Sequence, residues 1–112
     1  IDEYLAFRLN INMPQHGRSD IDAYEAVFTA LAHPVRRRIL MTINFEGGSM
    51  SAGKIAQTFK HSWPTTTRHL RVLEAARLIR CKRDGRNQIY TIEKHRLEVL
   101  CDWLDWFAKP TG

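Results

Sequence analysis

Apolar residues recur at helical spacing after residue 20 and predict two amphipathic helices in the first half of the chain. Asp20 can cap the first helix, because its carboxylate accepts hydrogen bonds from first-turn amides. The second helix begins after His33 at Pro34, a residue that tolerates the first helical position, and ends at Gly47-Gly48. The residues facing inward are Tyr24, Val27, Phe28 and Leu31 in the first helix and Val35, Ile39, Leu40 and Ile43 in the second.

A third and a fourth helix follow with almost no connection between them. Ser51 caps the third, and Met50 before it can pack on Ile55 as a hydrophobic staple. The inward residues of the third helix are Ala52, Ile55, Ala56 and Phe59. Only Lys60 and His61 separate this helix from the next, which starts at Ser62. Two short amphipathic helices joined by so tight a turn predict a helix-turn-helix with the second helix as reader.

The two sides of the fourth helix, residues 62–76, have different chemistry. The inward stripe is Thr66, Leu70 and Leu73, and the opposite side carries Pro64, Thr67, Arg68 and Arg71. Ser62 is a good N-cap for this helix. The first-turn N–H groups that the cap does not use point outward and suit a phosphate. This small, cationic outer face favours insertion into a groove of a nucleic acid. An ordinary amphipathic surface helix is the alternative.

The period changes from helical to alternating after Ala76. Ile79 and Cys81 alternate with basic residues, Asp84-Gly85 signals a hairpin turn, and apolar residues alternate again up to Ile92. This pattern predicts a two-stranded β wing, with a tip that carries Arg83, Arg86 and Asn87.

The last helix, residues 93–109, is apolar around most of its circumference. At 100° per residue its apolar side chains cover an arc of roughly 220°. Only Glu98, Asp102, Asp105 and Lys109 mark a polar face. A terminal helix buries about half its circumference on its own domain, so the remaining arc needs a partner, for which a second copy of the chain is the simplest candidate.

Residues 1–19 form a separate N-terminal arm and linker in this interpretation, and residues 20–109 form one domain. Alternation from Leu5 to Met13 favours an extended strand, although Ile1, Tyr4, Leu5 and Leu9 also make a helical stripe. Since the chain begins with Ile1, part of this arm is either a remnant of expression or the end of a longer N-terminus. The sequence PQHGRS that follows is typical of a linker.

Charge is concentrated in one stretch of the 112-residue chain. Lysine and arginine number 17 against 12 acidic residues, and the net charge is +5. Arg68 to Arg86 contains seven basic and two acidic residues, which accounts for the whole excess. Such a block beside a polar helix face indicates a nucleic acid as the partner, with a solvated basic surface as the alternative.

Other features of the composition exclude several classes of protein. No apolar run is long enough to span a membrane and no charged-then-apolar leader opens the chain, which favours a cytoplasmic protein. Cys81 and Cys101 form no CxxC pair, so we expect reduced, packed thiols. No spacing indicates a catalytic set or a glycine-rich phosphate loop, and we expect no enzyme activity and no cofactor.

The order of these elements resembles the ArsR/SmtB-like family of winged-helix transcriptional repressors. The resemblance covers most of residues 24–107 and lies in ALAHPVRRRIL (residues 30–40), SAGKIAQTF (51–59), SWPTTTRHLRVLEAARLI (62–79) and RDGRNQIYTI (83–92). It implies a fold that is mainly α with a two-stranded β wing, and a homodimer joined by its terminal helices. It also implies double-stranded DNA as the partner, and a repressor whose two reader helices enter successive major grooves of a palindromic operator. An alternative function is a winged-helix interaction module for an acidic protein.

The resemblance and the helix faces identify two sets of candidate residues. The predicted DNA-binding residues are Ser62, Trp63, Thr65, Thr67, Arg68, His69, Arg71, Lys82, Arg83 and Arg86. The predicted dimerisation residues are Tyr24, Val99, Leu100, Trp103, Leu104, Trp106 and Phe107.

The chain departs from the family pattern in three respects. Many relatives have glycine after the reader helix, where this chain has Arg77. Many also have a polar residue where this chain has Trp63, which either contacts the DNA backbone or packs at the turn. Many members sense metals, but only the half-site Glu93-x-His95 is present here, and a zinc site needs three or four ligands. We therefore expect no metal site, and the sequence does not identify an effector. Cys101 is expected to be buried and structural rather than a thiol switch.

Overall fold

The computed structural model describes residues 18–60 and 62–108, and within them it has five helices and three strands. The elements are α1 (Arg18–Leu31), α2 (Pro34–Phe45), β1 (Ser49–Ser51), α3 (Ala52–Phe59), α4 (Trp63–Ala75), β2 (Ile79–Asp84), β3 (Asn87–Ile92) and α5 (Lys94–Ala108). The predicted order of helices and wing is confirmed. The prediction for the N-terminal arm lies outside the described residues, apart from its last two positions, which belong to α1.

The prediction that Asp20 caps the first helix is wrong, because α1 already begins at Arg18. Aspartate stabilises both the cap position and the first turn, where its charge complements the helix dipole, so the residue type alone does not distinguish the two positions. The other caps are confirmed. Ser51 Oγ accepts the Lys54 N–H at 3.2 Å, and Pro34 lies in the first turn of α2.

The HPVRRR segment joins α1 to α2 through side-chain hydrogen bonds. His33 is the N-cap of α2, and its Nδ1 accepts the Val35 N–H at 3.1 Å. Arg36 donates to the carbonyls of Thr29 and Ala30 at 3.1 and 2.6 Å. Arg37 donates to the carbonyl of Leu31 at 2.7 Å. Because the last carbonyls of a helix have no partner within the helix, these two guanidinium groups cap α1 and fix its angle to α2.

Within the part of the chain that the structure describes, the sheet has three antiparallel strands in the order β1-β3-β2. The two-stranded wing, β2 and β3, is confirmed, with Asp84 opposite Asn87. Its turn residues are Gly85 and Arg86, and Gly85 has φ +63°. A positive φ at the first central residue only is the pattern of a type II′ turn.

The strand β1 was not predicted from the sequence. It pairs Met50 with Tyr90, and the hydroxyls of Ser49 and Thr91 lie 2.8 Å apart. Three residues are too few to show an alternating pattern. This strand anchors the wing to the segment that leads into α3.

The core lies between the helices and the inner face of the sheet. The predicted inward residues of α2, α3 and α4 include its most buried members, Ile39, Ile43, Ile55, Leu70 and Leu73. Each fully buried side chain of this kind contributes about 1.5–3 kcal/mol. The two helices of the helix-turn-helix are therefore held by their inner faces.

Tyr90 closes the core beneath β1 and carries a perturbed ionisable group. Burial, followed by the neighbouring Cys81 thiol and Glu74, raises the pKa of Tyr90 to about 12, although Arg71 acts in the opposite direction. A raised acid pKa favours the neutral form in the folded protein. The contribution of Tyr90 to stability is therefore complete below pH 10 and is lost as the pH rises from about 10 towards 12.

The end of α4 is a left-handed cap built without glycine. Arg77 has φ +63°. Its N–H donates to Glu74 O at 2.9 Å, and the Leu78 N–H donates to Leu73 O at 3.0 Å. These two bonds define a Schellman motif, in which Leu78 and Leu73 are both fully buried. Arg77 therefore makes a turn that glycine makes without steric cost, and it does so at a conformational cost.

The terminal helix α5 is attached to the end of α4 at its beginning. The Arg96 guanidinium Nε donates to the Ala76 carbonyl at 3.0 Å, and the Glu93 N–H donates to Leu78 O at 2.9 Å. The two helices therefore share the turn around Ala76, and a displacement of either one disturbs both bonds.

Further along α5, no described residue is fully buried within the protomer. Trp103 contacts Phe28 edge to face, with ring centroids 4.9 Å apart. Leu104 is 51% exposed and Phe107 is 73% exposed. The predicted surplus of apolar surface on this helix is therefore present. None of the helices in the described ranges has the length and apolar character of a membrane span.

The expectation of packed thiols is wrong for Cys101, which is exposed, while Cys81 is half-buried in β2. At 100° per residue, position 101 falls on the apolar arc of the terminal helix. The protomer covers only part of that arc, and Cys101 lies on the uncovered part.

We expect Arg77→Gly to be more stable to unfolding than Arg77→Ala by about 1 kcal/mol, because a left-handed residue with a Cβ is strained. The comparison of glycine with alanine removes the Arg77 side chain from both proteins and isolates the backbone effect, less the entropy that glycine adds to the unfolded chain. Urea unfolding followed by circular dichroism measures the difference. Greater stability of the alanine variant would mean that α4 does not end in this turn, because the unfolded-state entropy of glycine would then act without the left-handed strain of alanine.

Candidate nucleic-acid interface

The N-terminus of α4 is capped as the sequence predicts. Ser62 Oγ accepts the Thr65 N–H at 3.3 Å and donates its own proton to Thr65 Oγ1 at 2.9 Å. Among the first three residues of α4, Pro64 has no N–H and Thr65 donates its N–H to the cap. The Trp63 N–H is the one that stays available to a ligand. The phosphate site predicted at this helix end therefore has fewer N–H donors than the sequence suggested.

The outer side of α4 has the predicted composition. Trp63 is 54% exposed. Pro64, Arg68 and Arg71 are exposed, and Thr67 is half-buried. Thr65, drawn in by the cap, is also half-buried. Trp63, Thr67, Arg68 and Arg71 line a shallow depression along this side of the helix. The helix therefore presents one small, cationic face, as expected from its periodicity.

The prediction that His69 faces DNA is wrong. His69 is only 9% exposed, and its ring lies 4.6 Å from that of His33, centroid to centroid. The sequence contained the signal for this position, because residue 69 lies three after Thr66 and four before Leu73, which places it on the inward stripe. The buried face of α4 therefore includes His69 in addition to Thr66, Leu70 and Leu73.

A second depression, which we call the wing groove, lies between α4, the wing and the start of α3. Trp63, Thr67 and Arg71 line it from α4. The wing contributes Arg83, Arg86, Asn87 and Gln88, and residues 51–53 complete it. Gln88 and residues 51–53 were not among the predicted site residues. The signal for Gln88 was its position opposite Arg83 in the hairpin, since paired residues of adjacent strands share a face.

The wing groove is positively charged. Among residues 18–60 and 62–108, it is lined by Arg71, Arg83 and Arg86 and by no acidic residue. Within the described part of the chain none of these three arginines forms an ion pair. Unpaired cations in a concave surface raise the local potential and attract anions.

The basic block of the sequence does not all belong to this surface. Arg77 and Arg80 line a different depression together with Glu74 and Glu93. There Arg80 Nε lies 3.0 Å from Glu93 Oε1. Lys82 is exposed, but it alternates with Arg83 along β2 and therefore lies on the other face of the wing. The fold thus separates the seven basic residues between two surfaces.

The half-site for a metal is not completed in the described ranges. His95 Nδ1 lies 3.3 Å from Glu98 Oε2, and both side chains are exposed. Among residues 18–60 and 62–108, no three histidine, cysteine, aspartate or glutamate side chains lie close enough together to hold a metal ion.

Comparison with known proteins places this geometry in a family. A helix-turn-helix domain family matches residues 31–82. The transcriptional repressor SdpR of Bacillus subtilis is 36% identical over 78 residues, which are 70% of this chain and 84% of SdpR. The crystal structure of the ArsR family transcriptional regulator RHA00566 is similar with a TM-score of 0.69 and 26% identity, over 80% of this chain and 95% of that one.

A further structure supports the fold alone. The homodimeric winged helix-turn-helix domain of Mb0332 from Mycobacterium bovis has a TM-score of 0.67 and 23% identity, over 87% of each chain. The reader helix, the wing and the relatives agree, and the chain belongs to the ArsR family of winged helix-turn-helix transcriptional regulators, which act by binding DNA.

Proposed function

We propose that this protein is a dimeric repressor that binds a palindromic operator, with α4 of each protomer in the major groove. The observation that carries the proposal is the wing groove, where among the described residues three arginines without ion pairs, and no acid, lie beside the exposed face of a capped helix. A helix of this diameter fits the major groove of B-DNA. The charge supplies affinity for phosphate, and the short side chains of α4 leave its backbone close to the bases. We also propose that it acts in the cytoplasm.

Repression and dimerisation are supported by relatives. SdpR is named a transcriptional repressor, and the Mb0332 domain is described as homodimeric. In this chain Leu104 and Phe107 expose large apolar side chains on one helix, beside Trp103. Apolar surface of this kind on a regulator is typical of a subunit interface. We assign the interface to α5 and to the adjoining side of α1, which carries Tyr24. The α5 residues Val99, Leu100 and Trp106 belong to the same proposed interface.

The proposed DNA contacts divide into two kinds. Arg68, exposed in the second turn of α4, is placed to reach base edges, where arginine bonds guanine O6 and N7 together. Thr67 and Arg71 adjoin it on the same face. Ser62, Trp63 and Thr65 at the helix start, and Arg83 and Arg86 on the wing, are assigned to the sugar-phosphate backbone. Lys82 lies on the other face of the wing and is assigned no contact beside α4. Backbone contacts of this kind set position and affinity, and they do not read sequence.

Selection of bound fragments from random DNA tests the function directly. We expect a palindrome whose half-sites are about 34 Å apart, one helical turn, because a two-fold dimer presents its two readers with that symmetry. Binding should weaken steeply with salt. If no sequence is enriched, and an acidic protein is retained instead, the chain is an interaction module and not an operator-binding repressor.

Arginine-to-alanine variants distinguish the residue proposed to read bases from the residue proposed to contact the sugar-phosphate backbone. Arg68→Ala should cost about 1–3 kcal/mol on the operator and relax preference at one symmetric pair of positions. Arg86→Ala should weaken operator and scrambled DNA alike, and lower the salt slope by about one for each phosphate contact removed. Fluorescence anisotropy over a salt series measures both effects.

The matched control for these variants is Arg38→Ala, since Arg38 is exposed on α2 and lines neither depression beside α4. Its affinity for DNA should stay close to that of the wild type. The roles are assigned wrongly if Arg68→Ala lowers both affinities equally, or if Arg86→Ala affects only the operator.

The interface on α5 is tested by Leu104→Glu. We expect the wild type to sediment as a dimer at micromolar concentration, and the variant to dissociate at least about 100-fold more readily, because a carboxylate is costly to bury. Leu104 is half-exposed in the protomer, so the helical circular dichroism should be unchanged. Asp105→Ala, on the polar face of the same helix, is the control. A monomeric wild type would refute the interface.

A further inference from the structure

An apolar groove lies at the beginning of α5, away from the wing groove. Its walls are one stripe of α2, which includes Leu40 and Met41, and Leu97 from the first turn of α5. Leu31, the last residue of α1, and Ile92, the last residue of β3, complete it. Met41 is 70% exposed although its side chain is large and apolar. We call this surface the α2/α5 groove.

The α2/α5 groove has two cations and no acid among the described residues that line it. Arg37 lies on α2 one turn before Met41, and Lys94 begins α5. Lys94 has no ion pair with any residue of the described ranges. The neighbouring Glu93 lines a different depression, where it pairs with Arg80. The N-terminal end of α5 adds its partial positive charge near Lys94.

A groove with an apolar lining and a cationic edge selects ligands of one chemistry. Apolar surface that stays in water favours a hydrocarbon occupant, because removing that surface from water is favourable. Two cations without an acid favour a negative head group beside that hydrocarbon. A neutral apolar molecule leaves the cations unused, and a small inorganic anion leaves Met41 exposed.

We propose that the α2/α5 groove binds a small amphipathic anion, such as a carboxylate with an aliphatic chain, whose chain lies along Met41 and Leu97 and whose head group meets Arg37 and Lys94. The site is distinct from the DNA surface, because it shares no lining residue with the wing groove. It touches α2 and α5, and α5 is bonded to the end of the reader helix through Arg96 and Ala76. Occupancy therefore has a direct physical route to α4.

The test compares octanoate with 1-octanol, which have the same chain and differ in charge. We expect octanoate to displace the fluorescent probe 8-anilinonaphthalene-1-sulfonate from the full chain, and octanol to do so at least about ten-fold less well. Lys94→Gln should weaken octanoate by about three-fold and leave octanol unchanged, because exposed charge pairs are weak. Arg37→Gln, which also removes the hydrogen bond to the Leu31 carbonyl, should weaken octanoate at least as much. Met41→Ser should weaken both ligands, because it removes the apolar contact. Circular dichroism establishes that each variant is folded.

The matched control is Arg38→Gln, which removes an exposed arginine of the same helix that does not line the α2/α5 groove. Its octanoate affinity should equal that of the wild type. Equal binding of octanoate and octanol, an equal effect of Arg38→Gln and Arg37→Gln, or no displacement by octanoate would each overturn the proposal. Loss of probe binding as protein concentration rises through dimerisation would also overturn it, because a second copy would then cover the groove.

Discussion

The burial of one side of α4 is the constraint on which the rest of the structure depends. Leu70 and Leu73 are almost fully buried, and each contributes about 1.5–3 kcal/mol by its removal from water. The three successive threonines at the start of the helix each cost only a few tenths of a kcal/mol relative to good helix formers. Burial therefore outweighs propensity, and the outer side of the helix is free to carry residues chosen for another purpose.

Both ends of α4 are fixed by hydrogen bonds that follow from this burial. Ser62 closes the beginning, and the Schellman turn at Arg77 closes the end, with Leu73 and Leu78 packed beneath it. The strain at Arg77 persists because the buried leucines on either side leave the chain no other course. The same turn receives the Arg96 guanidinium from α5. The reader helix and the proposed dimer helix thus meet at a single point.

The wing acquires its position from contacts distant in sequence. A hairpin of two six-residue strands is marginal by itself, and here β3 is held on its other edge by β1. Tyr90 and Met50 are buried where these strands meet. Anchored in this way, the wing brings Arg83 and Arg86 to the same groove as Arg71. The proposed interface is therefore an assembly of α3, α4 and the wing, and no single segment of sequence contains it.

The sequence by itself determined the elements whose cause is local. The caps at Ser51 and Ser62, the break at Pro34, the hairpin after Asp84 and the inward stripes of α2 to α4 follow from side chains within a few residues of one another. It also indicated the unsatisfied apolar arc of α5, because amphipathic periodicity is a property of one helix.

Only the tertiary structure decided features that depend on which surfaces meet. The strand β1 exists because β3 lies beside it, and three residues carry no pattern of their own. His69 is buried because the ring of His33, at the start of another helix, lies against it. Cys101 is exposed because the protomer leaves part of α5 uncovered. The basic block divides between two surfaces because successive strand residues point to opposite faces, and only the packed sheet determines which face adjoins the reader helix.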